Sequence, residues 1–463
     1  MNVTKTSGVC EKFISKPRFR NYEKVVVVVI DALRADFIPS VTRKSEFNIT
    51  LPFIDSMMKN KTILSFINKV HSPTVTMPRI KTLTTGDISN FMDALTNLHA
   101  SELKEDSILH QAKLHNLKSV FYGDDTWLKL FPDLFIRSEG THSFFVSDYQ
   151  EVDTNVSRHL ESELSKTDWD IMILHYLGVD HIGHAYGPYS DLLPPKLREM
   201  DNVVEFIYNK LRSKSEIQSL IIVCGDHGMT AGGSHGGITK SELLTPLLFI
   251  NTNPSEATLK NPFKKIKTID QVDFAPTLSS LLALPIPTNS FGNVIPQALK
   301  FCGFTHDQIL HAFFRNVFQL FEVYKSVFPK KSKFFIRHIK KVVLNHSAIH
   351  QVKKVKGSPI YNYSYLPKFY MGLLSHMKRD LLASVAEYNL SNIMIGPKPM
   401  NIDSATPVNF LSLPSTSASK SSPSHITQKI KPIPNIVNKK RFKELTCIPS
   451  ISEFFSMLAE NYE

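Results

Sequence analysis

Carboxylates and imidazoles recur in this 463-residue chain directly after apolar runs, the placement that a metal-assisted reaction needs. Asp31 follows the run Val25 to Ile30, and Asp226-His227 falls near the end of "SLIIVCGDHGM". Asp180 and His184 form a D-x-x-x-H after Ile171 to Leu174, a carboxylate and an imidazole expected one loop turn apart. His235 lies in "GGSHGG", where flanking glycines let a loop bring the imidazole close without side-chain obstruction. A lone Asp after a strand is as often a helix N-cap, so Asp31 takes its chemical meaning from the others. Oxygen and imidazole donors in this mixture suit zinc, with manganese second, better than calcium or a thiolate-bound metal. The six ligands Asp31, Asp180, His184, Asp226, His227 and His235 exceed what one tetrahedral ion with an open position can use, which implies two ions. Ions paired about 4 Å apart serve in-line displacement at phosphorus, one activating the nucleophile and the other stabilising the leaving oxygen.

"HSPTVTMPRIKTLTTG", His71 to Gly86, offers hydroxyls for such a reaction at Thr74 and Thr76. A Thr-Val-Thr run suits a strand end, and Pro78 in the first turn of a helix needs no amide donor. The other reading makes Thr76 a nucleophile above a helix N-terminus, where backbone amides and the dipole favour phosphate. Its hydroxyl is weak until a cation holds it as the alkoxide. "GDDTW" adds Asp124 and Asp125, either a turn capped by Asp or carboxylates meeting a substrate ammonium group.

The elements that must position these residues read as alternating strands and helices. Val25 to Ile30 is a continuous β-branched run of the kind buried on both faces of a parallel sheet. Similar runs lead to the other ligands, and a short strand is expected at Ser119 to Tyr122. Helices are expected in "ELKEDSILHQAKLHNL", "VDTNVSRHLESELSK" and "KLREMDNVVEFIYNKLRSK". This pattern predicts an α/β fold with a largely parallel central sheet flanked by helices, the ligands lying outside the carboxyl ends of strands. The expected organisation is an N-terminal tail over 1–23, a catalytic domain over 24–300, a mainly helical stem over 301–398, and a disordered linker with a short terminal helix over 399–463.

Hydrophobic residues at 42% and charged residues at 21% are ordinary for a globular chain. Much of the +12 net charge lies between Lys325 and Lys356, read as a solvated helix face, with lipid headgroup contact as the alternative. No zinc-finger spacing or RNP-like aromatic motif accompanies it, so no nucleic-acid partner is expected. Cys10, Cys224, Cys302 and Cys447 form no C-x-x-C pair, which argues against a disulfide scaffold and a thiolate metal site. Cys224 fits a small buried hydrophobe. Sequons at Asn48, Asn60, Asn155, Asn345, Asn362 and Asn389 permit a glycoprotein in the secretory lumen. The N-terminus lacks the apolar core of a signal peptide, and no downstream stretch is long and apolar enough for a membrane span.

In chain order, "IDALRADF", "SPTVTMPRIKTLTTG", "FYGDDTWLKLFP", "SFFVSDYQEVD", "LHYLGVDHIGHAYGP" and "CGDHGMTAGGSHGG" resemble the glycosylphosphatidylinositol (GPI) ethanolamine phosphate transferases of the alkaline phosphatase superfamily. The resemblance implies an alkaline-phosphatase-like fold in which Asp31, Thr76, Asp226 and His227 hold one zinc, and Asp180, His184 and His235 the other. It implies Thr76, not Thr74, as the nucleophile. It further implies phosphatidylethanolamine as donor, a mannose of a GPI precursor as acceptor, a phosphoethanolamine-threonine intermediate, and a small membrane partner subunit in full-length members. The implied location is the lumenal face of the endoplasmic reticulum membrane. Members begin with a membrane anchor and end in many transmembrane helices, and "KFYMGLLSHMKRDLLASVAEYNLSNIMIG" resembles the stem before the first of these. The chain therefore reads as a lumenal catalytic domain cut at both ends. "NFMDALTNL", "GSHGG" and "LLTPLLFI" look most like the type that modifies the second mannose. The missing C-x-P-x-R argues against a sulfatase. The competing readings are a phosphodiesterase or phosphatase of the same superfamily with water as acceptor, and a catalytically silent binding protein.

Overall fold

A computed structural model describes residues 20–42, 46–88, 102–143, 145–253, 266–333, 335 and 365–395. Its strands are β1 (Lys24–Ile30), β2 (Ile63–Lys69), β3 (Ser119–Asp124), β4 (Phe135–Thr141), β5 (Ile171–Tyr176), β6 (Ser219–Gly225), β7 (Leu244–Asn251) and β8 (Lys267–Asp270). They form one sheet in the order β4-β3-β5-β1-β6-β7-β2-β8. Neighbours run parallel except at β7, which is antiparallel to both β6 and β2. The β-branched run forms β1 at the middle of this sheet, buried along its whole length as a strand covered on both faces must be.

The helices that position the site are α1 (Pro52–Lys59), α2 (Thr76–Thr85), α3 (Ile108–Leu114), α4 (Thr126–Leu130), α5 (Glu151–Ser157), α6 (Gly178–Tyr186), α7 (Leu193–Arg212), α8 (Phe274–Leu281), α9 (His306–Val327) and α10 (Tyr365–Ile395). Alternation along β1 sorts its side chains between two cores. Val25, Val27 and Val29 pack with α2, α3, α4 and α8, whereas Val26, Val28 and Ile30 pack with α1, α5, α6 and α7. The result is the expected parallel-sheet α/β architecture with helices on both faces. The helix expected across "ELKEDSILHQAKLHNL" is shorter than its pattern. Ser107 caps it by accepting the His110 N–H, so α3 begins only at Ile108.

A third apolar cluster joins α9 and α10. Leu310, Phe313, Val317, Leu320 and Tyr324 recur at helical spacing and meet Tyr370, Leu374, Met377 and Leu381. Among the described residues no helix is long and apolar enough to cross a membrane. Residues 1–19, the part of the basic stretch over 336–356 and the whole of 399–463 lie outside the described residues.

Candidate metal-assisted active site

Three adjacent strand ends carry the site. Ile30 of β1 is in register with Tyr176 of β5 and Gly225 of β6, so their carboxyl ends lie side by side. Strand alternation then decides which residues share a face. Asp31 continues the series Val25, Val27, Val29; Asp226 continues Leu220, Ile222, Cys224; and His175 continues Ile171, Ile173. All three fall on the face covered by α2, whose first residue is Thr76. Asp180 and His184 lie one turn apart on α6, which corrects the loop expected for them. His235 enters from the loop after β6, where Gly233 and Gly236 adopt φ of 77° and 112°, conformations that favour glycine.

Donor atoms of Asp180, His184 and His235 lie within 4.8 Å of one another, as do those of Asp31, His175 and Asp226. Imidazole tautomers follow from what each far-side nitrogen meets. His235 Nδ1 lies 2.9 Å from the Thr74 carbonyl, and His227 Nδ1 lies 3.0 Å from the Gly228 carbonyl. A carbonyl only accepts, so both rings carry hydrogen on Nδ1 and present a lone pair at Nε2. His235 Nε2 faces His184 Nε2 at 3.0 Å and Asp180 Oδ1 at 3.5 Å, and His184 Nε2 is 3.5 Å from Asp180 Oδ2. His227 Nε2 stands 3.4 Å from Asp31 Oδ1, 3.3 Å from Asp226 Oδ2 and 3.3 Å from Thr76 Oγ1. The hydroxyl of Thr76 also lies 3.3 Å from Asp31 Oδ2.

Acceptors gathered this closely repel unless a cation or proton joins them. Asp31 Oδ1, Asp180 Oδ1 and Asp226 Oδ2 are buried without a hydrogen-bond partner among the described residues. Such orphaned oxygens, beside neutral imidazoles, fit two divalent ions with mixed oxygen and nitrogen ligands. The rings of His227 and His235 stack with centroids 4.1 Å apart, so the two ligand groups adjoin.

Burial, then the charge of Asp31, holds the pKa values of Asp180 and Asp226 well above the usual carboxylate range. Asp31 is driven the other way: burial opposes ionisation, but the contact with His175 and the nearby imidazoles outweigh it. Burial followed by His235 pushes His227 down to about 3, keeping it a neutral ligand. A metal must therefore displace protons from Asp180 and Asp226, so affinity is expected to rise with pH and to fall as pH drops through their raised values. Zinc titration calorimetry in buffers of different ionisation enthalpy should show net proton release. Identical heats in every buffer would contradict this.

Thr74 and Thr76 occupy different environments. Thr74 is fully buried, accepts the Gly236 N–H at 2.9 Å and donates to the Gly237 carbonyl at 3.0 Å. Its side chain thus braces the His235 loop, while Thr76 is only half-buried and faces the ligands. Asp124 is buried with Oδ1 accepting the Thr126 N–H at 2.9 Å, and Asp125 pairs with Lys129 at 2.7 Å and His142 at 3.3 Å. Sequence reasoning missed His175. Its signal was available: an imidazole interrupting a buried strand on the alternation that leads to Asp31. Gln271 was missed too; it donates to the Asp226 carbonyl at 2.6 Å and accepts from Arg79 at 3.3 Å. Of the segments that look like the second-mannose type, "LLTPLLFI" is almost wholly the strand β7, buried from Thr245 onward with only Leu243 and Leu244 partly exposed, and "NFMDALTNL" lies outside the described residues.

Residues 122–254 match the family model for type I phosphodiesterase / nucleotide pyrophosphatase. The chain is 39% identical over 384 residues to the catalytic subunit of human GPI ethanolamine phosphate transferase 2, covering 81% of this chain and 38% of that protein. GPI ethanolamine phosphate transferase 2 of Aspergillus fumigatus is 42% identical over 322 residues, 66% of this chain and 41% of the relative. The Schizosaccharomyces pombe protein of the same name is 43% identical over 318 residues, 64% and 41% of the two chains. The chain thus spans about two fifths of these relatives' lengths, from 38% to 41%. With sequence identity of 39% to 43% over these lengths, the chain belongs to the GPI ethanolamine phosphate transferase 2 family.

Proposed function

We propose that this chain transfers phosphoethanolamine from phosphatidylethanolamine to a mannose, the second, of a GPI precursor, at the lumenal face of the endoplasmic reticulum membrane. The observation that carries the reading is Thr76: its hydroxyl stands 3.3 Å from both Asp31 and His227 at the first residue of α2. Asp31, Thr76, Asp226 and His227 would hold one zinc, and Asp180, His184 and His235 the other. When bound, such a pair lowers the pKa of a coordinated hydroxyl and offsets charge on phosphate oxygens.

The protein's own groups do the rest. Thr76 Oγ1 attacks the donor phosphorus, and its new bond forms as the bond to the diacylglycerol oxygen breaks. Phosphoethanolamine then rests on Thr76 until the mannose hydroxyl displaces it. The α2 N-terminus places its positive end beside the anion. Gly228 and Thr74 carbonyls fix the His227 and His235 tautomers so that neither ring turns its protonated edge inward.

The family-model match supports a second reading, a hydrolase in which water replaces the sugar. One experiment separates them. Protein purified without chelator, and found by mass spectrometry to hold close to two zinc ions per chain, is incubated with labelled phosphatidylethanolamine and a GPI precursor. The expected product is a glycolipid whose fragmentation places phosphoethanolamine on the second mannose. Free phosphoethanolamine alone identifies the hydrolase, and an intact fold without metal rejects both.

A further inference from the structure

We propose that His175 is a positioning residue that donates through Nε2–H to the metal ligand Asp31, and that Trp127 keeps it from becoming a ligand itself. The inference rests on the two-metal reading above. Distance alone suggests otherwise, since His175 Nε2 lies 3.5 Å from Asp31 Oδ2 and groups with Asp31 and Asp226 as closely as a ligand would.

The far side of the ring decides. Trp127 Nε1 lies 2.9 Å from His175 Nδ1. An indole N–H can only donate, so Nδ1 must carry the lone pair and the hydrogen of the neutral ring sits on Nε2. For Nε2 to bind a cation the ring would have to become an imidazolate. A doubly protonated ring would set a second hydrogen against the indole, and it too would present Nε2–H, not a lone pair, toward Asp31. His227, on the same carboxylate, has the opposite tautomer because its Nδ1 meets a carbonyl. Asp31 is thus flanked by one imidazole that gives a hydrogen and one that gives a lone pair.

The donor is held rigidly. His175 is fully buried, and Trp127 is buried and stacked on Phe121 with centroids 5.4 Å apart. Asp31 Oδ2 lies 3.3 Å from Thr76 Oγ1 and 3.5 Å from His175 Nε2, a buried nitrogen with no other hydrogen-bond partner among the described residues, so the orientation that His175 would impose bears on the proposed nucleophile. Catalytic hydrogen bonds are commonly long outside the working complex and shorten within it.

The test uses zinc affinity and histidine nitrogen resonances. His175→Leu removes the donor and should weaken the ion bound by Asp31 about 10–100-fold, leaving the ion at Asp180, His184 and His235 unaffected. His175→Gln keeps an N–H near the Nε2 position and should restore affinity to within a few-fold. In 15N-histidine spectra of protein loaded with cadmium-113, His184, His227 and His235 should couple to the metal while His175 shows an uncoupled Nε2–H. Trp127→Phe should turn that single tautomer into a mixture. Metal coupling on His175 overturns the proposal, and so does unchanged zinc affinity in His175→Leu. If His175→Leu fails to fold, the glutamine variant and the coupling decide. The tautomer is also read in chelated protein, so a chain that took up no metal would sink the two-metal reading while the Nε2–H signal still judged His175.

Discussion

Thr76→Ala is expected to lower kcat by on the order of 10³-fold or more while leaving the fold and most of the bound metal in place. The substitution removes the hydroxyl that lies 3.3 Å from Asp31 and from His227, and Thr76 is only half-buried, so little packing is lost. Thr74→Ala is the informative contrast. It strips the acceptor from the half-buried Gly236 N–H and the donor from the Gly237 carbonyl, in the loop that presents His235. Losing such a hydrogen bond where water can reach the groups costs about 0.5–1.5 kcal/mol. That loss should appear as weaker metal binding at Asp180, His184 and His235, with turnover recovering at high zinc. Thr76→Ala should not recover at any zinc concentration. Kinetics of both variants across a zinc titration check this, and a zinc-rescued Thr76→Ala would remove Thr76 from the role proposed for it.

Lys378→Met should destabilise the protein by about 3–5 kcal/mol at neutral pH, the usual penalty for breaking a buried ion pair from one side. Lys378, on α10, is buried and reaches Asp270 at 2.7 Å and Asp273 at 2.7 and 2.9 Å. Burial works against its charge, but Asp273 and then Asp270 outweigh burial and raise its pKa. Asp270 lies below its usual value because Lys378 overcomes its burial, whereas Asp273 stays raised because burial wins. Without the ammonium both carboxylates would be raised above their unfolded values. A raised carboxylate pKa penalises the folded state as pH climbs past the unfolded value, so the deficit should be largest near neutrality and shrink toward acid pH. Denaturant unfolding at two pH values measures both features. A loss below about 1 kcal/mol at neutral pH would show the pair to be dispensable. Gln271 lies between the two aspartates and bonds the Asp226 carbonyl, so the same ion pair braces the backbone of a proposed ligand.

Much of this molecule is legible in the sequence, for local reasons. A strand buried on both faces must be apolar without alternation, so Val25 to Ile30 announces the centre of a parallel sheet. Ligands in such sheets collect at carboxyl ends, which makes Asp31 and Asp226-His227 readable as a set before any coordinates exist. The family resemblance adds an expected division of the candidate ligands between two ions.

Tertiary structure decided what depends on partners remote in the chain. Thr74 and Thr76 are two residues apart and chemically alike; only the loop 161 and 162 residues away, which meets Thr74, separates a brace from a hydroxyl facing ligands. Asp180 and His184 have the same spacing in a loop or a helix, and packing of Val179 and Ile182 against the sheet makes it α6. His175 reads as one more core residue until an indole donor 48 positions away sets its tautomer. Lys378 sits in a helix among other charges, and its burial follows from carboxylates about a hundred residues earlier, 105 in the case of Asp273. Strand propensity and burial pattern are properties of neighbouring residues, and so they can be read from neighbours. A proton's position, a carboxylate's orientation or a buried charge is set by whatever lies across the space that folding encloses.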